Sequence, residues 1–443
     1  VLLALPACGG VLVVGEAGPY RSIREAIARA SAGDTIRVER GVWPGNLVID
    51  KPLTLEGAGR PVIRGDGRDS VVTVLAPDTT IRNFVIEHSG GMLVDEDSGI
   101  LLKADGARLE YNEFRDVLFG IYLYHSSRNI LTGNTIRGRP ELELGERGSG
   151  IHIWYSSENT ITGNSVTDTR DGMYLEYASR SMIKDNRIYR LRYGLHYMFS
   201  DDNWFEDNVF YDNVAGAAIM YSRRIEFRRN AFVKNRGFAS FGILFQDSRD
   251  CVAEDNLVAD NAVGFFMEAQ RTSTFRRNTV AFNDVAIRTF SNAAENTFRW
   301  NNFIGNLSPI EVIGKRTDNN WSDQGAGNFW TQYDGYDLNA DGIGDVPFRI
   351  QNVFERLEGN YPRLRLYLMS PASQALAVSE RMFPIIEGSR EYDDAPLMKP
   401  VEMGRFPPLP VPERTHNGIG WPLVLPAAMV GISIVTMARG RRR

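Results

Sequence analysis

Gly150-Ile-His-Ile-Trp154, Gly172-Met-Tyr-Leu-Glu176 and Gly194-Leu-His-Tyr-Met198, each followed by an asparagine (Asn164, Asn186, Asn208), set the frame for this chain. Successive glycines are 22 residues apart, and so are the asparagines. Outward from this stretch, glycine followed by an apolar residue recurs at Gly99, Gly120, Gly216, Gly242 and Gly264. Asparagine recurs at Asn112, Asn134, Asn230, Asn256, Asn278 and Asn301. A period near 22 is too short for helical-hairpin repeats and suits one coil of a right-handed parallel β-helix. The leucine framework of a leucine-rich repeat is absent.

Within each run the residues alternate with period two, the signature of a strand. Positions one and three after glycine are apolar (Ile151 and Ile153, Met173 and Leu175, Leu195 and Tyr197) and are expected in the core. Positions two and four are expected to face outward. Asparagine tolerates left-handed turn geometry, and its amide can bond to the coils above and below. That accounts for one asparagine at a corner of every coil.

The step from asparagine to the next glycine is normally 8 residues, but it is 16 from Asn134 to Gly150, 12 from Asn230 to Gly242 and 16 from Asn83 to Gly99. All three insertions therefore fall at one corner, and insertions in repeat proteins tend to mark the binding face. Tyr20 to Ala30 reads as a short helix with Ser22 as N-cap and Glu25 completing a capping box. Such a helix would cover the first coil and hide its open strand edge.

The chain has 443 residues and a formal net charge of −5, although four of its last five residues are arginine. No basic field for nucleic acid exists. Two cysteines make no disulfide framework, and Cys251 reads as a buried structural thiol. Residues 1–10 read as the tail of a signal peptide, with Leu5-Pro-Ala-Cys8 compatible with simple cleavage near Ala7 or with lipidation of Cys8. Trp421–Ala438 is an uncharged apolar run long enough for a transmembrane helix. The arginines behind it would stay in the cytoplasm, leaving the rod outside. The expected division is a signal remnant (1–10), the β-helix (11–350), a docking segment with proline-rich linker (351–415), and a membrane anchor with basic tail (416–443).

Asp337, Asn339, Asp341, Ile343 (by its carbonyl) and Asp345 follow the first half of a calcium loop around Gly342. Phe348 stands where an EF-hand needs glutamate, so the expectation is a structural calcium loop, against a metal-free turn rich in Asp and Asn. The outward columns are richer. Position two reads Tyr122, His152, Tyr174, His196 and Ala218; position four reads Tyr124, Trp154, Glu176, Met198 and Met220. If the coils stack, His196, Met198 and Met220 converge beside Glu176, a soft set suited to Cu(I), with His152 in the same column. The same columns would equally pack against one another or against the C-terminal segment. His88 and Met92 lie in the first insertion; with Tyr122, Tyr124, Trp154 and Tyr174 they would line a docking edge.

Enzyme signatures are thin: no P-loop, no nucleophile elbow and no zinc-type histidine pair. The aromatic column would also stack sugars, which leaves a carbohydrate-binding or polysaccharide-cleaving β-helix as the alternative. Glu176 and Glu268, four coils or roughly 19 Å apart, do not suit either glycosidase geometry. Asp171 and Asp247 read as solvated turn residues.

Asp171-Gly-Met-Tyr-Leu175, Arg192-Tyr-Gly-Leu-His-Tyr-Met-Phe-Ser200, Gly327-Asn-Phe-Trp330 with Asp337–Asp345, Tyr361-Pro-Arg-Leu-Arg-Leu366, Met369-Ser-Pro371, Phe383-Pro-Ile-Ile386 and Pro396-Leu-Met-Lys399 occur in that order. This set resembles the NosD family, periplasmic maturation proteins of nitrous oxide reductase. The resemblance spans about residues 20–400 and implies an accessory protein, not a catalyst. It implies an ABC-type complex with a membrane permease and a cytoplasmic ATPase. It also implies copper received from a lipoprotein chaperone, and apo-reductase as the client whose copper–sulfide centre is assembled. His196 and Met198 fall inside the family-like motif. The segment Gln351–Lys399 is expected to dock on the last coils or on the permease, burying Met369, Met382 and Phe383.

Overall fold

The computed structural model describes residues 9–237, 239–314, 317–350, 370–371, 375, 379 and 391–409. Their backbone winds into a parallel β-helix in which each complete coil contributes one short strand to each of three sheets. The first sheet has fourteen strands, from Val11–Val14 to Asp318–Asn320. The second has thirteen, from Val42–Pro44 to Phe329–Trp330. The third has twelve, from Leu47–Ile49 to Ser308–Ile313. The positions read as inward, Ile151, Ile153, Met173, Leu175, Leu195 and Tyr197, are all fully buried.

Gly172, Gly194 and Gly216 stand in file along the third sheet, and close approach is the reason they are glycine. A Cβ on Gly194 would lie 2.5 Å from the Gly216 carbonyl oxygen, and one on Gly216 2.2 Å from that of Gly242. No other residue fits so tight a stack of backbones.

The asparagines form a continuous ladder at the corner between the first and second sheets. From Asn112 to Asn301, the backbone N–H and side-chain Nδ2 of each donate to Oδ1 of the asparagine one coil on, at 2.8–3.2 Å. Asn328 continues the ladder, and Asp393 ends it by accepting from the Asn328 N–H and Nδ2. One part of the expectation needs correcting. These asparagines are not the left-handed residues; the residue before each is, such as Asp185 (φ 56°), Asp207 (φ 55°) and Arg229 (φ 53°). Asn83 (φ 63°) occupies that left-handed slot, and Phe84 takes the ladder position, its N–H donating to Asn112 Oδ1 at 3.1 Å.

The short helix is Ile23–Arg29, and Ser22 Oγ accepts from the Glu25 N–H at 3.1 Å while Glu25 accepts back from the Arg21 N–H. It buries Ile23, Ala26 and Ile27 over the end of the core. It packs against Leu47–Ile49, the edge strand of the third sheet, with Arg24 donating to the Gly45 and Asn46 carbonyls, but the edge of the first sheet is formed by Val11–Val14, which precedes it.

At the other end Glu391 and Asp393, both buried, close the solenoid. Glu391 accepts from the Thr317 N–H and hydroxyl (2.9 Å each) and from Trp321 Nε1 (2.8 Å); Asp393 accepts from Trp330 Nε1 (2.8 Å). Val401 then pairs with Asn302 at 2.8 and 2.9 Å. The tail of the expected docking segment thus lies on the last coils. Met369, Met382, Phe383, residues 1–8 and the run Trp421–Ala438 fall outside the described residues. Among the described residues no helix is long and apolar enough to cross a membrane.

The calcium expectation finds no support. The oxygens of the loop are turned to its own backbone: Asp337 accepts from the Asp341 and Gly342 N–H groups, Asn339 from Asp341, Asp341 from Ile343 and Asp345 from Leu338. This is a hydrogen-bonded turn of the kind Asp and Asn form without a metal. Among the described residues no group of three or more His, Cys, Asp or Glu side chains is placed to hold a metal ion.

Candidate functional site

All three insertions emerge at the corner between the second and third sheets. They follow the strands Val85–Glu87, Thr135–Arg137 and Ala231–Val233 and rejoin the third sheet at Ser98–Leu102, Ile151–Trp154 and Ile243–Gln246. They flank the outer face of the third sheet, where the two candidate columns run.

Register places the columns as expected. His152, Tyr174, His196 and Ala218 are successive rungs of one; Trp154, Glu176, Met198 and Met220 are rungs of the other. His196, Met198 and Met220 therefore occupy adjoining outer positions with Glu176 one rung below Met198. His152 is two rungs from His196, with Tyr174 between them. Met220 also packs on an apolar cluster of Ala215, Ala218, Phe241, Val263 and Val285, with Tyr193, Leu244 and Phe266 at its margin. Phe241, carried by the third insertion, stacks 6.3 Å from Tyr193, which lies 5.1 Å from the His196 ring. The His196 imidazole and the Met220 thioether are thus bordered by aromatic rings.

The residue before each glycine forms a third outer column, which the alternation did not reveal because the glycine interrupts it. Phe119, Ser149, Asp171, Tyr193 and Ala215 hold this position. Asp171, expected to be solvated, is fully buried. Arg192 donates to both of its oxygens at 2.9 and 2.6 Å, His196 Nδ1 lies 3.3 Å from Oδ2, and Arg170 Nε 3.6 Å from it. Burial alone would raise this carboxyl, but the hydrogen bonds from His196 and Arg192 hold it below the usual carboxylate range. Asp247 is exposed, as expected.

His152 is packed differently. Tyr122 (4.4 Å, edge-on), Tyr174 (4.5 Å) and Phe119 (5.5 Å) surround its ring, and its buried Nδ1 has no hydrogen-bond partner. Burial depresses its pKa to about 3, so the ring is neutral. Ser149 Oγ and Arg170 Nε are also buried without a hydrogen-bond partner among the described residues, Arg170 Nε being ion-paired with Asp171.

The expected docking edge is only partly exposed. Met92 projects, 57% exposed, with Leu93 and Val94 beside it. Its loop is held from below: Arg139 donates to the Ser89 and Gly90 carbonyls at 2.6 and 3.0 Å, and Asp97 accepts from the Met92 N–H at 2.8 Å. His88 Nδ1 is 2.8 Å from Asp116. Tyr122 is buried and donates to Glu96 at 2.7 Å; Tyr174 donates to Glu176 at 2.9 Å. Tyr124 and Trp154 pack ring against ring at 4.9 Å.

A ladder of aromatic rings went unread in the sequence. His125, Tyr155, Tyr177, Phe199 and Tyr221, each five places after a glycine, stack at 4.5–5.3 Å along the corner between the third and first sheets. All five have left-handed φ, between 48° and 54°, and Tyr155, Tyr177, Phe199 and Tyr221 are 40–44% exposed. The five-place offset was the available signal. Cys251 is buried, as expected, and burial pushes its thiol up to about 11.

These features define a class: a parallel β-helix that presents soft and aromatic side chains on one insertion-flanked face. A family model described as periplasmic copper-binding protein (NosD) matches residues 137–335. A protein of Pseudomonas aeruginosa named probable ABC transporter binding protein NosD is 34% identical over 384 residues, covering 84% of this chain and 90% of that protein. A protein of the same name from Stutzerimonas stutzeri is 32% identical over 380 residues, covering 82% and 86%. The chain belongs to the NosD family. Solved structures share the fold alone. The A-module of Azotobacter vinelandii mannuronan C-5 epimerase AlgE6 aligns with a TM-score of 0.55 at 13% identity, covering 67% of this chain and 91% of that one. The Dettilon tailspike protein aligns at 0.53 and 15% identity, covering 63% of each.

Proposed function

We propose that this chain is the extracytoplasmic subunit of an ABC-type complex, working with a permease and a cytoplasmic ATPase in assembly of the copper–sulfide centre of nitrous oxide reductase. Family membership supports the copper and transporter context, since the relatives are named as transporter binding proteins and the family model as copper-binding. In this reading copper is cargo. The insertion-flanked face is a docking platform for a copper-chaperone lipoprotein and for apo-reductase, with the exposed Met92 tip and the edge of Tyr124, Trp154 and Tyr174 on the partner side, Tyr122 lying buried beneath it. The run Trp421–Ala438 tethers the rod to the cytoplasmic membrane.

The observation that carries the site is the register. His196, Met198 and Met220 hold neighbouring outer positions, and His196 Nε2 has no hydrogen-bond partner among the described residues. One imidazole and two thioethers in neighbouring half-buried positions are a donor set for Cu(I). Glu176 is engaged by Tyr174 and stands at the margin, and His152 lies behind Tyr174. Competitive Cu(I) titration of the wild type against His196→Ala and Met198→Ala tests the site, with loss of affinity expected in both. Unchanged stoichiometry and affinity would remove it. Deletion with reductase activity as readout separates the maturation role from the sugar-active alternative, which predicts no loss.

A further inference from the structure

We infer that Asp171 is the positioning residue for His196, holding its imidazole in the Nδ1–H tautomer so that Nε2 is presented as a lone pair. The inference deepens the copper reading of His196 and rests on it. Asp171 sits one place before Gly172, and the outer pleat brings that position against the second position of the next coil, where His196 stands. Its Oδ2 is 3.3 Å from His196 Nδ1. An ionised carboxylate only accepts, so the contact requires a proton on Nδ1, and in the neutral imidazole that leaves Nε2 without one. Carboxylate-oriented histidines of this kind are the common arrangement behind metal-binding imidazoles.

The carboxylate is itself fixed. Arg192 grips both oxygens at 2.9 and 2.6 Å, a two-pronged geometry that sets the plane of the group. Asp171 is fully buried on an outer column otherwise filled, on neighbouring rungs, by Phe119, Ser149, Tyr193 and Ala215. An ion pair made only for stability would not need to reach the imidazole. His152 provides an internal comparison. It occupies the same column as His196, but the residue in the corresponding place on the coil before it is Phe119, and its Nδ1 has no partner. The protein therefore orients one of its two column histidines and not the other.

Two measurements test this. The first uses the copper-free wild-type chain with ¹⁵N-labelled histidine, His196 being assigned from the spectrum of His196→Gln. The expected pattern is Nδ1–H with an unprotonated Nε2. An Nε2–H tautomer would overturn the inference whatever the protein does with copper. The second is competitive Cu(I) titration of Asp171→Asn. Arg192 will keep the amide oxygen, turning the NH2 toward His196 and reversing its tautomer. Affinity should then fall about 10- to 100-fold. Wild-type affinity together with a reversed tautomer would refute the positioning role. If His196→Gln binds Cu(I) as the wild type does, the copper reading fails while the tautomer result still stands. Should Asp171→Asn not fold, the wild-type tautomer alone decides.

Discussion

Replacing His152 with phenylalanine should change how this protein responds to acid. The ring is enclosed by Tyr122, Tyr174 and Phe119, and burial depresses its pKa to about 3. In the unfolded chain a histidine titrates near 6.5. As pH falls below that value the unfolded chain takes up a proton that the folded chain refuses, so stability is complete above about 6.5 and lost toward 3. Integrating that difference, His152 alone costs about 0.8 kcal/mol at pH ~6 and about 2 kcal/mol at pH ~5. Asp393 works in the opposite direction. Burial pushes it up to about 6, so the folded chain keeps a proton that the unfolded chain releases, and stability is gained as pH falls through that value. The wild-type profile alone is therefore a mixture, but its difference from His152→Phe isolates the histidine. Urea unfolding of both proteins at about pH 7 and about pH 5 is the assay. The variant should match or exceed the wild type near neutrality, because a partnerless buried nitrogen is removed, and its advantage should grow by about 2 kcal/mol at the lower pH. Parallel profiles would refute the claim that the ring is held neutral in the folded protein.

Asn208→Ala should cost about 2–4 kcal/mol in the same unfolding experiment. It removes the acceptor of the Asn186 N–H and Nδ2 and the donor to the Ile183 carbonyl, all within a fully buried ladder. A loss below ~1 kcal/mol would mean that these groups find other partners. Gly194→Ala pushes a methyl to 2.5 Å from the Gly216 carbonyl and should destabilise by at least about 1–3 kcal/mol. A wild-type midpoint would show that the coils separate at little expense. Tyr177→Ala, on the exposed stack, should cost only about 0.5–1.5 kcal/mol, its two ring contacts being partly open to water. A much larger loss would make that ladder a structural spine.

Periodicity carried most of the fold. The 22-residue spacing of Gly172, Gly194 and Gly216 places them in file because parallel strands of equal length can stack only in register. Alternation separated Ile151 and Ile153 from His152 and Trp154 correctly for the same reason. Asp171 was misread because it lies just outside the alternating run, where no local pattern signals that Arg192 and His196 from the next coil will enclose it. The asparagine corner was found for one right reason and one wrong one: the amide ladder is real, but the left-handed backbone belongs to the preceding residue. The loop Asp337–Asp345 has the composition of a calcium site, yet composition does not specify where the oxygens point, and here they point to their own amides.

By itself the sequence determined the parallel coil, its inward and outward sets, the corner that carries the insertions, and the family resemblance, because each of these repeats along the chain or is read within a few residues. Only the tertiary structure decided which outer residues are buried. Tyr122 is closed over by Glu96 and Asp171 is gripped by Arg192, whereas Met92 and the ring edges from Tyr155 to Tyr221 stay open to solvent. The physical reason is that exposure on a solenoid wall depends on what the neighbouring coils and insertions lay across it. Those contacts join residues twenty or more positions apart, beyond the reach of any local pattern.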